Sequence, residues 1–307
     1  MKYVRDLTIE PYKGIDRGDT KYIPLGFSSD KLTDDLMSRK LTIITGQSEE
    51  GKSVIVHRAV LTAVNERHKV LVVDGEYYQE ELIRELYLKV IGDDPKLYNL
   101  KKPNKVYLKE PKKHIQEMLS AWHKDKIYII SKNECDFNNF EEMFKVVSEA
   151  VKHYNIDLVV FDNMMSLVSS TQAERNAAQA DFVKNIIRLN RTNNVHSIIV
   201  NHPRKQTERG IKLNMFDMSG TSDMPNMADN VFIVQRVFHP TEEEPDGFLH
   251  LDKNKLNGKH KIIPLIFDEE TRNYLEYDNG EKVRMNLNWQ NEGKQTKLGT
   301  KCDDAPF

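Results

Sequence analysis

The stretch KLTIITGQSEEGKSVIVHRAV, residues 40–60, joins a strand pattern to a helical pattern through a loop with two glycines. The loop GQSEEGKS, residues 46–53, matches the spacing G-x-x-x-x-G-K-[ST]. Glycine makes up about 7% of an average protein, which puts a chance match in a chain of this length at about 1%. Because a buried-strand pattern precedes the loop and a helix follows it, the sequence predicts a loop that binds nucleotide phosphates.

Each residue type in this spacing has a chemical task. The glycines let the backbone wrap so that amide hydrogens converge on phosphates, Lys52 reaches the β- and γ-phosphates, and the Ser53 hydroxyl ligates Mg²⁺. The predicted nucleotide-binding residues are Gly46, Gln47, Ser48, Glu49, Glu50, Gly51, Lys52 and Ser53. Glu49 and Glu50 place two carboxylates in a loop for a polyanion, which fits if their side chains point outward and otherwise predicts weakened affinity.

Strand and helix patterns alternate through most of the chain. Short runs rich in Val, Ile and Leu predict further strands at 68–76, 126–131, 157–163 and 196–202. Helical periodicity predicts helices at 79–91, 114–124, 140–154 and about 173–193, with a loop over about 94–113. The alternation predicts an α/β fold, a mostly parallel sheet flanked by helices. Short strands without intervening helices follow residue 230, which predicts an antiparallel C-terminal extension.

Composition sets the organisation and excludes several classes. We predict an N-terminal arm or linker at 1–39 with a short helix near Ser29–Met37, an ATPase domain at 40–280 and a disordered polar tail at 281–307. Forty-five basic and 47 acidic residues give a net charge of −2, so a polyanion contact must come from local clusters. Two cysteines and no apolar stretch of about 18 residues argue against secreted disulfide-rich and membrane proteins, and favour an intracellular location.

Three polar residues follow predicted strands and complete a hydrolytic site. Asp162, at the end of LVVFDN, is placed to hold a Mg²⁺-bound water. Glu76 follows VLVVD and is a candidate general base, with Asp74 and Glu80 as nearby competitors. His202 ends another strand, where it is either a sensor of the γ-phosphate or an ordinary polar strand end.

Together these segments resemble the RecA-like helicase domain of the DnaB-type replicative helicases, with a nearer likeness to the mitochondrial Twinkle and bacteriophage primase-helicase branch. The likeness covers about residues 30–278. Besides the phosphate loop it rests on VVDGEYYQEEL (72–82), FDNMMSLV (161–168), NAAQADFVKNIIRLNRTNNVHSIIVNHPRK (176–205), SGTSDMPNMADNVFIVQR (219–236) and LDKNKLNG (251–258). The resemblance implies a RecA-like P-loop core.

The resemblance also assigns roles to residues. It implies that Glu76 activates the attacking water, that His202 senses phosphate, and that Arg236 and Lys255 are cations lent to a neighbouring subunit's nucleotide. The family usually has arginine where Lys255 stands. Since lysine offers a point charge in place of a planar fork, transition-state stabilisation is expected to be weaker. The alternative for both cations is an ordinary solvated strand end.

DNA contacts in such rings come from two channel-lining loops. Here they correspond to 166–180 and 204–220. The candidate DNA-binding residues are Arg175, Asn176, Lys205, Arg209, Lys212 and Gly220. The second loop is basic and contains glycine, which suits phosphate tracking without base readout, although a solvated flexible loop has the same composition.

The resemblance therefore implies a ring, most often a hexamer, that uses ATP or another NTP or dNTP with Mg²⁺ to move 5′→3′ on single-stranded DNA and unwind duplex. The tail ends CDDAPF (302–307), an acidic and apolar tip that, with the N-terminal arm, is a candidate contact for a primase, polymerase or other replisome protein. Two alternatives remain, a RecA/RadA-like recombination ATPase and a nucleotide-dependent loader or scaffold without motor activity.

Overall fold

A computed structural model gives the fold. It describes residues 20–27, 36–101, 108–131, 140–163, 172–203, 213–218, 224–238, 240–241, 244–269, 271–278 and 281–291. Within these ranges no helix is long and apolar enough to cross a lipid bilayer.

Strands and helices alternate in the first two thirds of the chain. The strands are β1 Tyr22–Ile23, β2 Leu36–Met37, β3 Leu41–Thr45, β4 Val70–Asp74, β5 Tyr98–Lys101, β6 Leu108–Pro111, β7 Ile127–Ser131, β8 Leu158–Asp162, β9 His196–Asn201, β10 Asn230–Arg236, β11 Gly247–Asn254, β12 Lys261–Asp268, β13 Asn273–Asp278 and β14 Glu281–Val283. The helices are α1 Lys52–Asn65, α2 Gln79–Ile91, α3 Lys113–His123, α4 Phe140–Tyr154, α5 Gln172–Asn193 and α6 Met224–Met227, with a 3-10 turn at Met215–Asp217.

Ten strands form one sheet in the order β14-β13-β12-β11-β10-β3-β9-β8-β4-β7. The strands from β10 to β7 pair in parallel, and β11 to β14 continue the sheet as antiparallel neighbours. The α/β architecture with a mostly parallel sheet and an antiparallel C-terminal extension is confirmed. One strand differs from expectation, since β10 pairs in parallel with β3. The long segment 202–229 before β10 allows the crossover that parallel pairing requires.

The central strands are buried on both faces, which explains their continuous apolar sequences. Alternate residues enter opposite layers. Ile44 and Val160 pack with α1, α2 and α3, whereas Ile43 and Phe161 pack with α4 and α5. Because the parallel strands share one direction, the loops that follow β3, β4, β8, β9 and β10 all lie at one edge of the sheet.

Two further predictions were wrong in detail. The segment 94–113, predicted as a loop, contains the antiparallel pair β5 and β6, whose mostly polar sequences lack the apolar alternation that would reveal them. In the helix predicted near Ser29–Met37, Leu36 and Met37 are instead paired with β1 and buried. The remainder of that predicted helix lies outside the described residues.

The predicted disorder of the tail is wrong for its first part. Glu281–Val283 pair with β13, and Trp289 is buried against the core with only 5% of its surface exposed. The Asn288 N–H donates to the Asn65 side-chain oxygen at the end of α1 (2.6 Å). Strand pairing and one buried tryptophan are thus enough to order the first part of this polar tail. Residues 292–307 lie outside the described structure.

His196 gives the fold a testable pH dependence. Its buried ring contacts the Met37 carbonyl (2.6 Å) and the Thr42 hydroxyl (3.0 Å), and burial lowers its pKa to about 4. Because the unfolded chain binds this proton near pH 6.5, the free energy of unfolding should fall as the pH drops from 6.5 to 4, by about 3 kcal/mol for this group. Urea unfolding across this window should show a shallower pH dependence for His196→Gln than for the natural chain. If the free energy of unfolding depends on pH equally in both proteins, the prediction is contradicted.

Candidate active site

The phosphate loop lies between the end of β3 and the start of α1. Gly51, the residue before α1, has φ of +89°, a left-handed conformation that favours glycine. No side chain caps α1, so the amides of its first turn are directed at the loop and the positive end of the helix dipole is available to an anion.

Neighbouring strands support the loop from below. A Cβ atom on Gly51 would lie 2.4 Å from the Tyr274 ring, and one on Gly46 would lie 2.6 Å from the Val234 carbonyl oxygen. The Tyr274 hydroxyl donates to the Glu50 carbonyl (3.0 Å). Both glycines are therefore required by close packing against β10 and β13.

Lys52 crosses the mouth of the loop. Its Nζ donates to the carbonyl oxygens of Gly46 (2.9 Å) and Gln47 (2.7 Å). Burial lowers the pKa of Lys52, while the charges of Glu50, Asp162 and Glu76 oppose that shift. The ammonium group is thus held at the place where a bound phosphate would meet it.

The two loop glutamates differ in orientation. Glu49 is exposed and lines the cavity above the loop. Glu50 is only 2% exposed, and its carboxylate accepts the Gln47 N–H (2.5 Å). The outward orientation considered for both side chains does not hold for Glu50, whose carboxylate is buried and accepts a backbone donor within the fold.

Two aspartates end adjacent strands, Asp162 on β8 and Asp74 on β4. Burial, then the nearby charges of Asp74 and Glu76, raise the pKa of Asp162 to about 7, against a hydrogen bond from Ser53 and the charge of Lys52. Asp74 is engaged locally, since its Oδ1 accepts the N–H groups of Glu76 and Tyr77 (both 2.8 Å). Ser53 and Asp162 thus present paired oxygen ligands, a donor set that fits Mg²⁺ completed by phosphate and water.

Glu76, Asn163 and His202 form a connected group above these aspartates. The Asn163 amide donates to the Glu76 carboxylate, and its Nδ2 lies 3.2 Å from His202 Nε2. Burial and the charge of Lys52 lower the pKa of His202 to about 4, so the ring is neutral at pH 7 and Nε2 can accept. Sequence reasoning missed Asn163, although its position directly after Asp162 at a strand end was a usable signal. Glu80 is exposed and lies outside the cavity lining among described residues.

One cavity of about 470 Å³ extends from the phosphate loop to a wall of larger side chains. In that wall the Arg236 guanidinium lies 5.7 Å from the centre of the Phe267 ring. Arg236 was expected to reach a neighbour's nucleotide, but it lines the cavity of its own chain. The reason is that β10 lies directly beside β3, so both strands end at the same edge.

Lys255 lies elsewhere. It follows β11, which runs antiparallel to β10 and ends where β10 begins, at the opposite edge of the sheet from the phosphate loop. There it lines a second cavity of about 460 Å³ with Lys184, Arg188 and Arg191, and the described lining contains no acidic side chain.

The expected DNA-binding residues are only partly placed. Arg175 and Asn176 lie in α5, and their side chains are outside the described structure. Lys205, Arg209, Lys212 and Gly220 lie outside the described residues altogether.

Comparisons with known proteins agree with this geometry. The model of the family described as AAA domain matches residues 28–208, more than half of the chain. A structure described as a DnaB-like replicative helicase and its interactions with primase aligns with a TM-score of 0.67 and 15% identity over 82% of this chain and 61% of that one. The solved ATPase domain of a second helicase aligns with a TM-score of 0.64 and 14% identity over 82% and 90% of the two chains. No curated protein sequence matches.

At these identities the likeness is one of fold. The chain spans about three fifths of the first of these structures. The expected resemblance to the RecA-like domain of DnaB-type helicases is therefore confirmed for the fold.

The contact between Gly51 and Tyr274 can be tested by a double-mutant cycle. Gly51→Ala should destabilise the protein by about 2–4 kcal/mol, from a left-handed alanine and from collision with the ring. Tyr274→Ala has its own cost, because it removes core packing and the hydrogen bond to the Glu50 carbonyl. In the double variant it relieves the collision and leaves the left-handed strain of the alanine that replaces Gly51, so the double variant should be more stable than the sum of the single effects predicts, by about 1 kcal/mol or more. Denaturant unfolding measures each variant, and additive effects would contradict the contact.

Proposed function

Because the chain belongs to the AAA domain family, we propose that it is a ring-forming nucleoside triphosphatase that moves on single-stranded DNA and unwinds duplex. The observation that carries the proposal is the arrangement at one edge of the sheet. A phosphate loop opens α1, its Ser53 is hydrogen-bonded to Asp162, and Glu76 is held nearby by Asn163.

The proposed binding mode follows from this arrangement. Amides of the phosphate loop and the Lys52 ammonium bind the β- and γ-phosphates of ATP or another nucleoside triphosphate. Ser53 and Asp162 would hold Mg²⁺, which neutralises charge on these phosphates when bound. At its far end the cavity offers the planar Arg236 guanidinium and the Phe267 ring, two surfaces suited to the face of a base.

Glu76 is the proposed general base. A water oxygen attacks the γ-phosphorus as the bond from phosphorus to the β–γ bridging oxygen breaks, and Glu76 accepts the proton that water loses. Asn163 orients the carboxylate, and neutral His202, which shares the Asn163 amide, is placed to respond to the γ-phosphate. Nucleoside diphosphate and phosphate are the products.

A neighbouring copy supplies the remaining cations. Lys255, Arg188 and Arg191 converge at the edge opposite the nucleotide cavity, so a head-to-tail contact would bring them to the next copy's triphosphate. Such heterologous contacts form a ring when the rotation between copies closes, and an open filament when it does not. Arg175, Asn176, Lys205, Arg209, Lys212 and Gly220 are the proposed DNA contacts, tracking phosphates without base readout. A hexamer, 5′→3′ movement and contacts with a primase or polymerase belong to the same proposal.

Replacing the proposed base should separate catalysis from binding. Glu76→Gln keeps the size of the side chain and its contact with Asn163 but cannot accept the proton, so kcat for hydrolysis should fall about 10²–10⁴-fold. The affinity for Mg-ATP should stay within about threefold. Phosphate release and a fluorescent-nucleotide titration measure the two quantities.

Glu80→Gln is the matched control, because it removes the same charge from an exposed position nearby. It should hydrolyse ATP at the natural rate. A Glu76→Gln variant with natural turnover would remove Glu76 from the mechanism and favour a loader or scaffold. Hydrolysis stimulated by DNA without strand displacement on a forked duplex would favour a recombination ATPase.

Mixing two inactive variants tests the shared site. Lys52→Ala lacks the phosphate contact and Lys255→Ala lacks the lent cation, so each alone should lose at least about 90% of the hydrolysis rate. A mixture should regain part of it, since some contacts join an intact loop to an intact Lys255. Lys259→Ala, an exposed lysine in the same turn region, is the control and should be active alone. If the mixture hydrolyses ATP no faster than either variant alone, Lys255 does not act on the nucleotide of a neighbouring copy.

A further inference from the structure

The Glu50 carboxylate joins the phosphate loop to β10. It is buried beneath the loop, away from the described lining of the nucleotide cavity, and accepts the Gln47 N–H (2.5 Å). The backbone N–H of Arg236 at the end of β10 donates a second hydrogen bond to the same carboxylate. We call this set, Glu50 with the N–H groups of Gln47 and Arg236, the Glu50 latch.

The latch joins two parts of the cavity that sequence separates widely. Gln47 belongs to the phosphate loop, and Arg236 carries the guanidinium that faces Phe267 in the far wall. The close approach of Gly46 to the Val234 carbonyl places loop and strand in direct contact beside the latch. A shift of the loop relative to β10 would break both hydrogen bonds and change the distance between the two ends of the cavity.

Burial makes this carboxylate costly unless its partners stay in place. Desolvation raises the pKa of Glu50, whereas the two backbone hydrogen bonds and the charge of Lys52 lower it. A buried carboxylate that loses its hydrogen-bond donors costs more free energy than a neutral group in the same position. The latch therefore opposes movement of the phosphate loop relative to β10. Glu49, one residue earlier, carries the same charge on an exposed side chain.

We propose that Glu50 is a positioning residue that fixes the distance between the phosphate loop and the Arg236–Phe267 wall, and so favours a whole nucleoside triphosphate over a bare triphosphate. The inference rests on the proposed function, since it assumes that phosphates bind at the loop and the base at the wall. It assigns a role to a residue that would otherwise only repel a polyanion.

Calorimetric titration with Mg-ATP and with Mg-tripolyphosphate distinguishes binding at the phosphate loop from binding at the Arg236–Phe267 wall, because only Mg-ATP carries a base. Glu50→Gln keeps the length but offers one acceptor oxygen, and Glu50→Asp keeps the charge but is one methylene too short to reach both N–H groups. Each should weaken Mg-ATP binding about tenfold, because a charge-assisted hydrogen bond is lost, and change Mg-tripolyphosphate binding less than about twofold. Glu80→Gln, which removes the same charge from an exposed position outside the described cavity lining, is the control and should bind Mg-ATP within about twofold of the natural chain. Glu49→Gln removes the other carboxylate of the phosphate loop and tests for charge repulsion.

Several results would overturn the latch. Equal losses for both ligands would mean that Glu50 acts on the loop alone, and tighter binding of both ligands by Glu50→Gln and Glu49→Gln alike would mean simple charge repulsion. Natural affinity for Mg-ATP in both Glu50 variants would remove the residue from positioning while leaving the proposed function intact. If the unaltered protein binds neither ligand, the proposed function itself fails. Thermal unfolding without ligand verifies that each variant is folded.

Discussion

Parallel pairing of β3 with β9 on one side and β10 on the other is the constraint on which the site depends. It places the loops after β3, β4, β8, β9 and β10 at one edge, where Lys52, Asp162, Glu76 and His202 meet although they are far apart in sequence. The buried strands that create this edge are apolar on both faces, so the same residues that form the core also fix the geometry of the chemistry.

Much of this could be predicted from the sequence because it depends on local patterns. Apolar runs identified the central strands, helical spacing identified the helices between them, and the phosphate loop matched a spacing with a known mechanism. β5 and β6 were not predicted because their sequences are mostly polar and show no apolar alternation. β14 was not predicted because it is short and mostly polar, and it is held by pairing with β13. A strand that is held mainly by backbone hydrogen bonds needs no particular side chains, so its amino-acid composition does not reveal it.

In the site itself, the sequence predicts only those residues that directly follow a recognisable buried strand. The carboxylates and His202 follow buried strands and were found. The buried position of Glu50 was not, because one of its donors lies on a strand far along the chain. Arg236 was assigned to a neighbour for a similar reason, since only the register of β10 against β3 shows that it belongs to its own chain's cavity.

Tyr274 shows that the antiparallel strands help to build the nucleotide site. It lies on β13, well beyond residues 28–208 that the family model matches, yet its ring forms the floor under Gly51. Side chains alternate between the two faces of a strand, so a slip of one residue between β12 and β13 would turn this ring to the other side. An insertion or deletion in their connecting turn that shifts this register would therefore remove the floor of the loop without altering a single residue of the recognisable motif.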